Sequence, residues 1–190
     1  MTLVDQQVVP RMHADVAEIL ITEEQIRDKV LELGTKISAD YSETSVTLVS
    51  VLKGSLPFMA DLMRAMEIPV TIDLMEVSSY GGATTETSGL VRILKDLSSS
   101  IAGKDVLIVE DIIDSGLTLS WLLKNLESRQ PASLEVCTLL RKPDAITVDV
   151  PVRYVGFDIP NEFVVGYGLD YAEKYRNLRC VGTLAPHVYT

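Results

Sequence analysis

Cysteine, histidine and positive charge are in short supply in this 190-residue chain. Its two cysteines, Cys137 and Cys180, have neither metal-ligand nor redox spacing, so a disulfide framework is not expected and a reducing compartment is the simpler setting. The two histidines, His13 and His187, lie near opposite ends of the sequence, which argues against a histidine metal site. Lys and Arg number 17 against 27 Asp and Glu, a formal net charge of −10, and this argues against nucleic acid or an anionic membrane as the main partner. It also means that any polyanionic ligand needs local positive charge, so the few basic residues near a site carry more weight. No apolar run reaches membrane-spanning length and no signal-peptide core is evident. The expectation is a soluble, cytoplasmic protein. No internal repeat, linker or second domain is evident in the sequence, so a single domain is expected. The chain has 47% hydrophobic and 23% charged residues, which places it among ordinary globular proteins with one domain and a good-sized core.

Strands and helices alternate along that domain. Thr22-Glu23-Glu24-Gln25 reads as a capping box, and Ile26, Val30, Leu33, Ile37 and Tyr41 follow at helical spacing. A strand is expected at Val46–Leu52, then a Lys53-Gly54-Ser55 turn and an apolar helix over Leu56–Met66. Met59, Met63 and Met66 in that helix read as core or subunit-contact filler. Further strands are expected at Val70–Val77 and Val91–Asp96, with the polar, glycine-containing stretch Ser78–Gly89 between them. Val106–Val109, a helix over Leu117–Glu127 and a strand at Leu134–Leu140 complete an α/β pattern. That pattern implies a mostly parallel sheet flanked by helices, with ligands at the carboxyl ends of its strands. From about Val152 the pattern breaks into short apolar pieces, the expected mark of an appended subdomain over 152–190.

The most informative segment is Val106–Thr118, VLIVEDIIDSGLT. A β-branched-rich strand leads into Glu110 and Asp111, a third acid at Asp114, and then Ser115-Gly116-Leu117-Thr118 at the start of a helix. Backbone N–H groups and hydroxyls in such a turn grip a phosphate without requiring net positive charge. The acids can accept from sugar hydroxyls, help bind a divalent cation, or accept a proton. A solvated acidic turn at the end of a strand is the plain structural alternative.

This segment resembles the phosphoribosyl-pyrophosphate (PRPP) signature of type I phosphoribosyltransferases, in the version found in hypoxanthine-guanine phosphoribosyltransferases. Three more segments match that family in order: Val51-Leu52-Lys53-Gly54, Ser78-Ser79-Tyr80-Gly81 and the run Phe157–Arg176. The resemblance covers the chain from about Thr22 to Val181. It implies a type I phosphoribosyltransferase fold, with the segment from about 152 to 190 contributing a purine-binding hood. The activity implied is transfer of ribose 5-phosphate from PRPP to hypoxanthine or guanine, with release of pyrophosphate and with Mg²⁺ as cofactor.

The resemblance assigns roles residue by residue. Asp114 to Thr118, including Ser115, Gly116 and Leu117, matches the 5-phosphate loop, and Glu110 and Asp111 match the acids at the ribose hydroxyls. Asp114 also matches the general base at the purine N7. Lys53 and Gly54 match the pyrophosphate loop, which in the family follows a non-proline cis peptide, here Leu52–Lys53. Arg176 matches a second pyrophosphate contact. Lys142 matches the donor to the 6-oxygen of the purine; Phe163 matches the ring that stacks on the base, and Val164 the residue whose backbone meets its Watson–Crick edge. Asp170 matches a Mg²⁺ ligand, with Glu110 and Asp111 as further candidates. Ser79 and Tyr80 match the tip of a mobile catalytic loop. The family also implies a homodimer or homotetramer, and the apolar helix Leu56–Met66 is the expected interface.

Other readings differ in class. A xanthine-preferring enzyme differs only at the purine C2, while an orotate enzyme fits Lys142 and Phe163 poorly. A PRPP-sensing nucleic-acid-binding regulator would need a basic surface that so acidic a chain lacks.

Overall fold

The structure is a computed structural model that describes residues 14–79 and 91–188. Its frame is a six-stranded sheet in the order β4-β3-β2-β5-β6-β7. These strands are β2 (Val46–Leu52), β3 (Val70–Ser79), β4 (Val91–Lys95), β5 (Asp105–Ile113), β6 (Ser133–Arg141) and β7 (Tyr154–Asp158). Every neighbouring pair is parallel except β3 with β4. The mostly parallel α/β sheet expected from the alternating pattern is therefore present.

Three α-helices occur among the described residues: α1 (Glu23–Asp40), α2 (Leu56–Ala65) and α3 (Leu117–Glu127). The capping box at the start of α1 is complete. The Gln25 N–H donates to Thr22 Oγ1 at 3.2 Å, and the Thr22 N–H donates to Gln25 Oε1 at 2.8 Å, which satisfies two N–H groups that a helix end would leave orphaned. Helices cover both faces of the sheet, and β5 shows why its sequence is continuously apolar. Leu107 and Val109 pack with Ile26, Val30, Phe58 and Leu62 from α1 and α2, whereas Val106 and Ile108 pack with Leu119, Leu122 and Leu126 from α3. Alternate residues of a strand point to opposite faces, so a strand covered on both sides carries no polar alternation. Met59 and Met66 are buried in the first of these clusters, and Met63 packs against it.

Two expectations need correction. The strand expected at Val106–Val109 runs on through Glu110 and Asp111 to Ile113, because β6 continues alongside it, pairing Glu110 with Thr138 and Ile113 with Arg141. The acids therefore belong to the strand and do not follow it. The C-terminal part is also not a separate block from Val152 onward. Tyr154–Asp158 joins the main sheet as β7, and the small second sheet has the order β1-β9-β8, drawing β1 (Val16–Ile21) from the N-terminal side to pair with β9 (Val181–Leu184) and β8 (Val164–Val165). No strand was expected at Val16–Ile21.

Candidate functional site

The carboxyl ends of β2 and β5 open into a cleft of about 260 Å³. Gly54, Glu110, Asp111, Asp114, Ser115, Gly116 and Thr118 line it, with Leu52, Ile113 and Leu119 among its apolar walls. Seven of the residues singled out from the sequence thus meet at the place where a parallel sheet presents ligands.

The turn after β2 forms one wall. Its Leu52–Lys53 peptide bond is cis, as the resemblance implies. Ser50 and Ser55, both fully buried, share a hydroxyl hydrogen bond at 2.6 Å, and Ser55 Oγ also donates to the Val51 carbonyl. These bonds tie the two ends of the turn together beneath Gly54. A side chain at residue 54 would run into the Asp111 carboxylate, and one at Gly168, where φ is +104°, would strike the Gly54 carbonyl. Contacts this close require glycine and pack the loop before Arg176 directly onto the turn after β2.

The opposite wall is the turn between β5 and α3. Gly116 caps α3 in the left-handed region at φ +81°, and a Cβ there would collide with the Val148 carbonyl oxygen. The carbonyl of Ser115 is held by the Thr147 and Val148 N–H groups, each at 3.1 Å. The loop at 147–148 therefore fixes the turn from behind and leaves the first N–H groups of α3, free of intrahelical partners, at the cleft.

Lys142 enters from β6. Its N–H donates to the Ile113 carbonyl at 3.0 Å, and its side chain, only 7% exposed, reaches Asp114 with Nζ 2.9 Å from Oδ2. Asp114 itself is 57% exposed. A donor and an acceptor thus stand side by side, the donor held by its surroundings and the acceptor facing solvent.

Glu110 and Asp111 lie deeper, half-buried at the floor of the cleft. Burial pushes the Glu110 carboxyl well above its ordinary value, with the neighbouring Asp111 adding to the effect. Burial also pushes Asp111 up, to about 6, although the nearby Arg176 guanidinium opposes this and Asp170 adds to it. The pair is costly to ionise without a cation beside it.

Arg176 donates through Nη1 to the Gly168 carbonyl and pairs through Nη2 with Asp170 Oδ1, both at 2.8 Å. Its Nε is buried without a hydrogen-bond partner among the described residues. Glu173 lies within 3.3 Å of both Arg176 Nη2 and Lys53 Nζ, so one carboxylate touches both cations assigned to pyrophosphate. Nothing in the sequence marked Glu173, a loop glutamate whose partners become visible only in three dimensions.

Phe163 is 57% exposed and meets Tyr171 edge-on, with ring centroids 5.9 Å apart. Val164 is buried in β8, so only its backbone can face a ligand. Leu117 is exposed at the first position of α3. Ser79 ends β3, while Tyr80 and residues 81–89 of the expected catalytic loop lie outside the described residues.

The three carboxylates named as metal candidates, Asp170, Glu110 and Asp111, do not converge into a cage. Among the described residues no group of three or more Asp, Glu, His or Cys is placed to hold a metal. Mg²⁺ does not need one, since it is commonly held by one or two carboxylates with substrate phosphates and water completing the shell. Hard oxygen donors close enough for Asp170 to act on Asp111 fit an ion that arrives with a diphosphate.

Comparison with known proteins shows the family. A family model described as a phosphoribosyl transferase domain matches residues 17–172. The chain is 58% identical over 181 residues to a hypoxanthine-guanine phosphoribosyltransferase of Mycobacterium tuberculosis, covering 92% of this chain and 89% of that one. It is 50% identical over 178 residues to the Bacillus subtilis protein of the same name, covering 94% and 98%. Among solved structures, a hypoxanthine phosphoribosyltransferase from Staphylococcus aureus superposes with a TM-score of 0.93 at 49% identity, covering 97% of this chain and all of that one.

Proposed function

The chain belongs to the phosphoribosyl transferase domain family, and we propose that it is a purine salvage enzyme making IMP or GMP from PRPP and hypoxanthine or guanine, with release of pyrophosphate. The observation that carries the choice of base is the Lys142–Asp114 pair, with its 2.9 Å spacing. A 6-oxopurine in its N7–H tautomer presents an acceptor, O6, beside a donor, N7–H. The ammonium of Lys142 matches the first and the carboxylate of Asp114 the second. A 6-amino group would put a donor against an ammonium that has no acceptor, so adenine is disfavoured.

In this reading the exposed Phe163 ring stacks on the base and the Val164 backbone meets its Watson–Crick edge. The N–H groups and hydroxyls of Ser115, Gly116, Leu117 and Thr118 hold the 5-phosphate, while Glu110 and Asp111 accept from the ribose hydroxyls. Lys53, Gly54 and Arg176 hold the pyrophosphate. The N9 lone pair attacks C1′ as the C1′–oxygen bond to pyrophosphate breaks, through an oxocarbenium-like state of the kind seen in other glycosyl transfers. The N7 proton passes to Asp114, which leaves a neutral purine nucleotide. Asp114 acts partly as a base and partly by stabilising the positive charge that builds on the purine ring. Asp170, with Glu110 or Asp111 as a further candidate, would hold Mg²⁺, which would supply positive charge to offset that of the pyrophosphate.

The same proposal places the enzyme in the cytoplasm, where its two free cysteines would stay reduced. It also makes the enzyme a homodimer or homotetramer, with α2 at an interface; Leu56 at the start of that helix is exposed. The test is pyrophosphate release from PRPP and Mg²⁺ with each base in turn. Hypoxanthine and guanine should support it and adenine should not. Release with adenine alone, or with none of the bases, would overturn the reading, and preference for xanthine would move the specificity to the purine C2.

A further inference from the structure

Among the described residues, Glu173 is the one that joins the two cations assigned to pyrophosphate. Its Oε2 lies 3.3 Å from Lys53 Nζ and its Oε1 lies 3.3 Å from Arg176 Nη2. The loop that carries it is tightly specified. Glu173 itself adopts φ +64°, and its N–H donates at 2.8 Å to Asp170 Oδ2, while the other oxygen of Asp170 holds Arg176 at 2.8 Å. The carboxylate is thereby aimed at both cations by its own backbone. The side chains of Glu173 and Lys53 are nevertheless 65% and 58% exposed, so each pairing is weak and readily exchanged for another anion.

We propose that Glu173 is a positioning residue that acts as a stand-in anion, keeping Lys53 and Arg176 together beside the Gly54 turn until a diphosphate displaces it. The inference rests on the functional reading above, which assigns both cations to the diphosphate. A diphosphate offers these cations more charge and more acceptor oxygens than one carboxylate, so it wins the exchange, and Glu173 turns to solvent at little cost. On product release Glu173 takes the cations back, which speeds departure of pyrophosphate. The residue therefore weakens diphosphate binding while favouring turnover, and removing its charge should tighten binding.

The variant is Glu173→Gln, which keeps the shape and loses the charge. Titration calorimetry of the full-length protein with inorganic pyrophosphate, with and without Mg²⁺, should show the dissociation constant falling by about 3- to 10-fold, the factor that two exposed ion pairs supply together. The KM for PRPP should fall with it and the KM for hypoxanthine should stay unchanged. The difference from wild type should shrink at high salt, which screens exposed pairs. Glu173→Asp keeps the charge but is too short to reach both cations, and should fall between. A role confined to shaping the loop would give the opposite sign, with weaker pyrophosphate binding in Glu173→Gln and rescue by neither salt nor Asp. That result, or an unchanged dissociation constant, overturns the inference. If the wild-type protein binds pyrophosphate and makes nucleotide in the same experiment, the functional reading survives that failure. If it does neither, both fall.

Discussion

Replacing Lys142 by Met separates the role of its charge from the role of its bulk. The Lys142 side chain is 7% exposed and its ammonium lies 2.9 Å from Asp114 Oδ2, so a neutral, unbranched side chain of similar length keeps the packing and removes the donor. Truncating one partner of a fully buried pair costs about 3–5 kcal/mol, because a charge is stranded in the interior. Here the stranded partner would be Asp114, which is 57% exposed and regains water. The stability loss should therefore be about 1 kcal/mol or less, the scale of a surface pair. Catalysis should suffer more. The ammonium's hydrogen bond to O6 is charge-assisted, and losing it costs about 1.5–3 kcal/mol. At 1.4 kcal/mol per factor of ten, kcat/KM for hypoxanthine and guanine should drop about 10- to 100-fold. The KM for PRPP should hold, and the preference for 6-oxopurines over adenine should narrow. Initial rates with the three bases at varied PRPP, together with a urea melt, check all of this. Unchanged kcat/KM for both oxopurines in a folded Lys142→Met protein would refute the reasoning. A rise confined to the KM for PRPP would move Lys142 from the purine to a phosphate.

Asp114→Asn keeps the size but cannot take the N7 proton, and kcat should fall by about 10²–10⁴-fold while PRPP binding persists; equal turnover would remove Asp114 from the base role. Gly116→Ala puts a Cβ at φ +81° against the Val148 carbonyl. The left-handed backbone alone costs about 1–2 kcal/mol, so the variant should melt earlier and bind PRPP more weakly. A melting temperature and KM equal to wild type would show that the turn relaxes without loss. Asp111 sets a pH dependence. Its carboxyl sits at about 6 in the folded protein against about 3.9 when unfolded, so the folded state holds its proton more tightly. Its contribution to stability is therefore present at low pH and lost as pH rises from about 4 to about 6. Asp111→Asn should stabilise the ligand-free protein above that window more than below it, and an equal effect on both sides in urea melts would contradict the assignment.

The site was more legible in the sequence than the small sheet, for a physical reason. Most of the cleft lining comes from one continuous stretch, Glu110–Thr118, in which a buried strand, its terminal acids and a helix start are read in order. The capping box of α1 is equally local, spanning Thr22 to Gln25. The β1-β9-β8 sheet is the reverse case. Val16 pairs with Leu184 across almost the whole chain, β1 carries three exposed residues among its six, and β8 is two residues long. Neither periodicity nor length marks such strands. Glu173 is hidden in the same way, because its meaning lies in a contact with Lys53, 120 positions earlier. Two adjacent acids such as Glu110 and Asp111 read in sequence as the end of a strand. At the carboxyl edge of a sheet, however, they remain in the ladder while facing a cleft.

The central claim is that the Lys142–Asp114 pair reads the O6–N7 face of the purine and removes the N7 proton. 7-Deazahypoxanthine tests it most directly, because it keeps the ring shape and O6 and replaces N7 by a carbon that has no proton to give. Offered to the wild-type protein with PRPP and Mg²⁺ beside hypoxanthine, it should yield no nucleotide while hypoxanthine is converted to IMP. Conversion of both bases at similar rates would contradict the account.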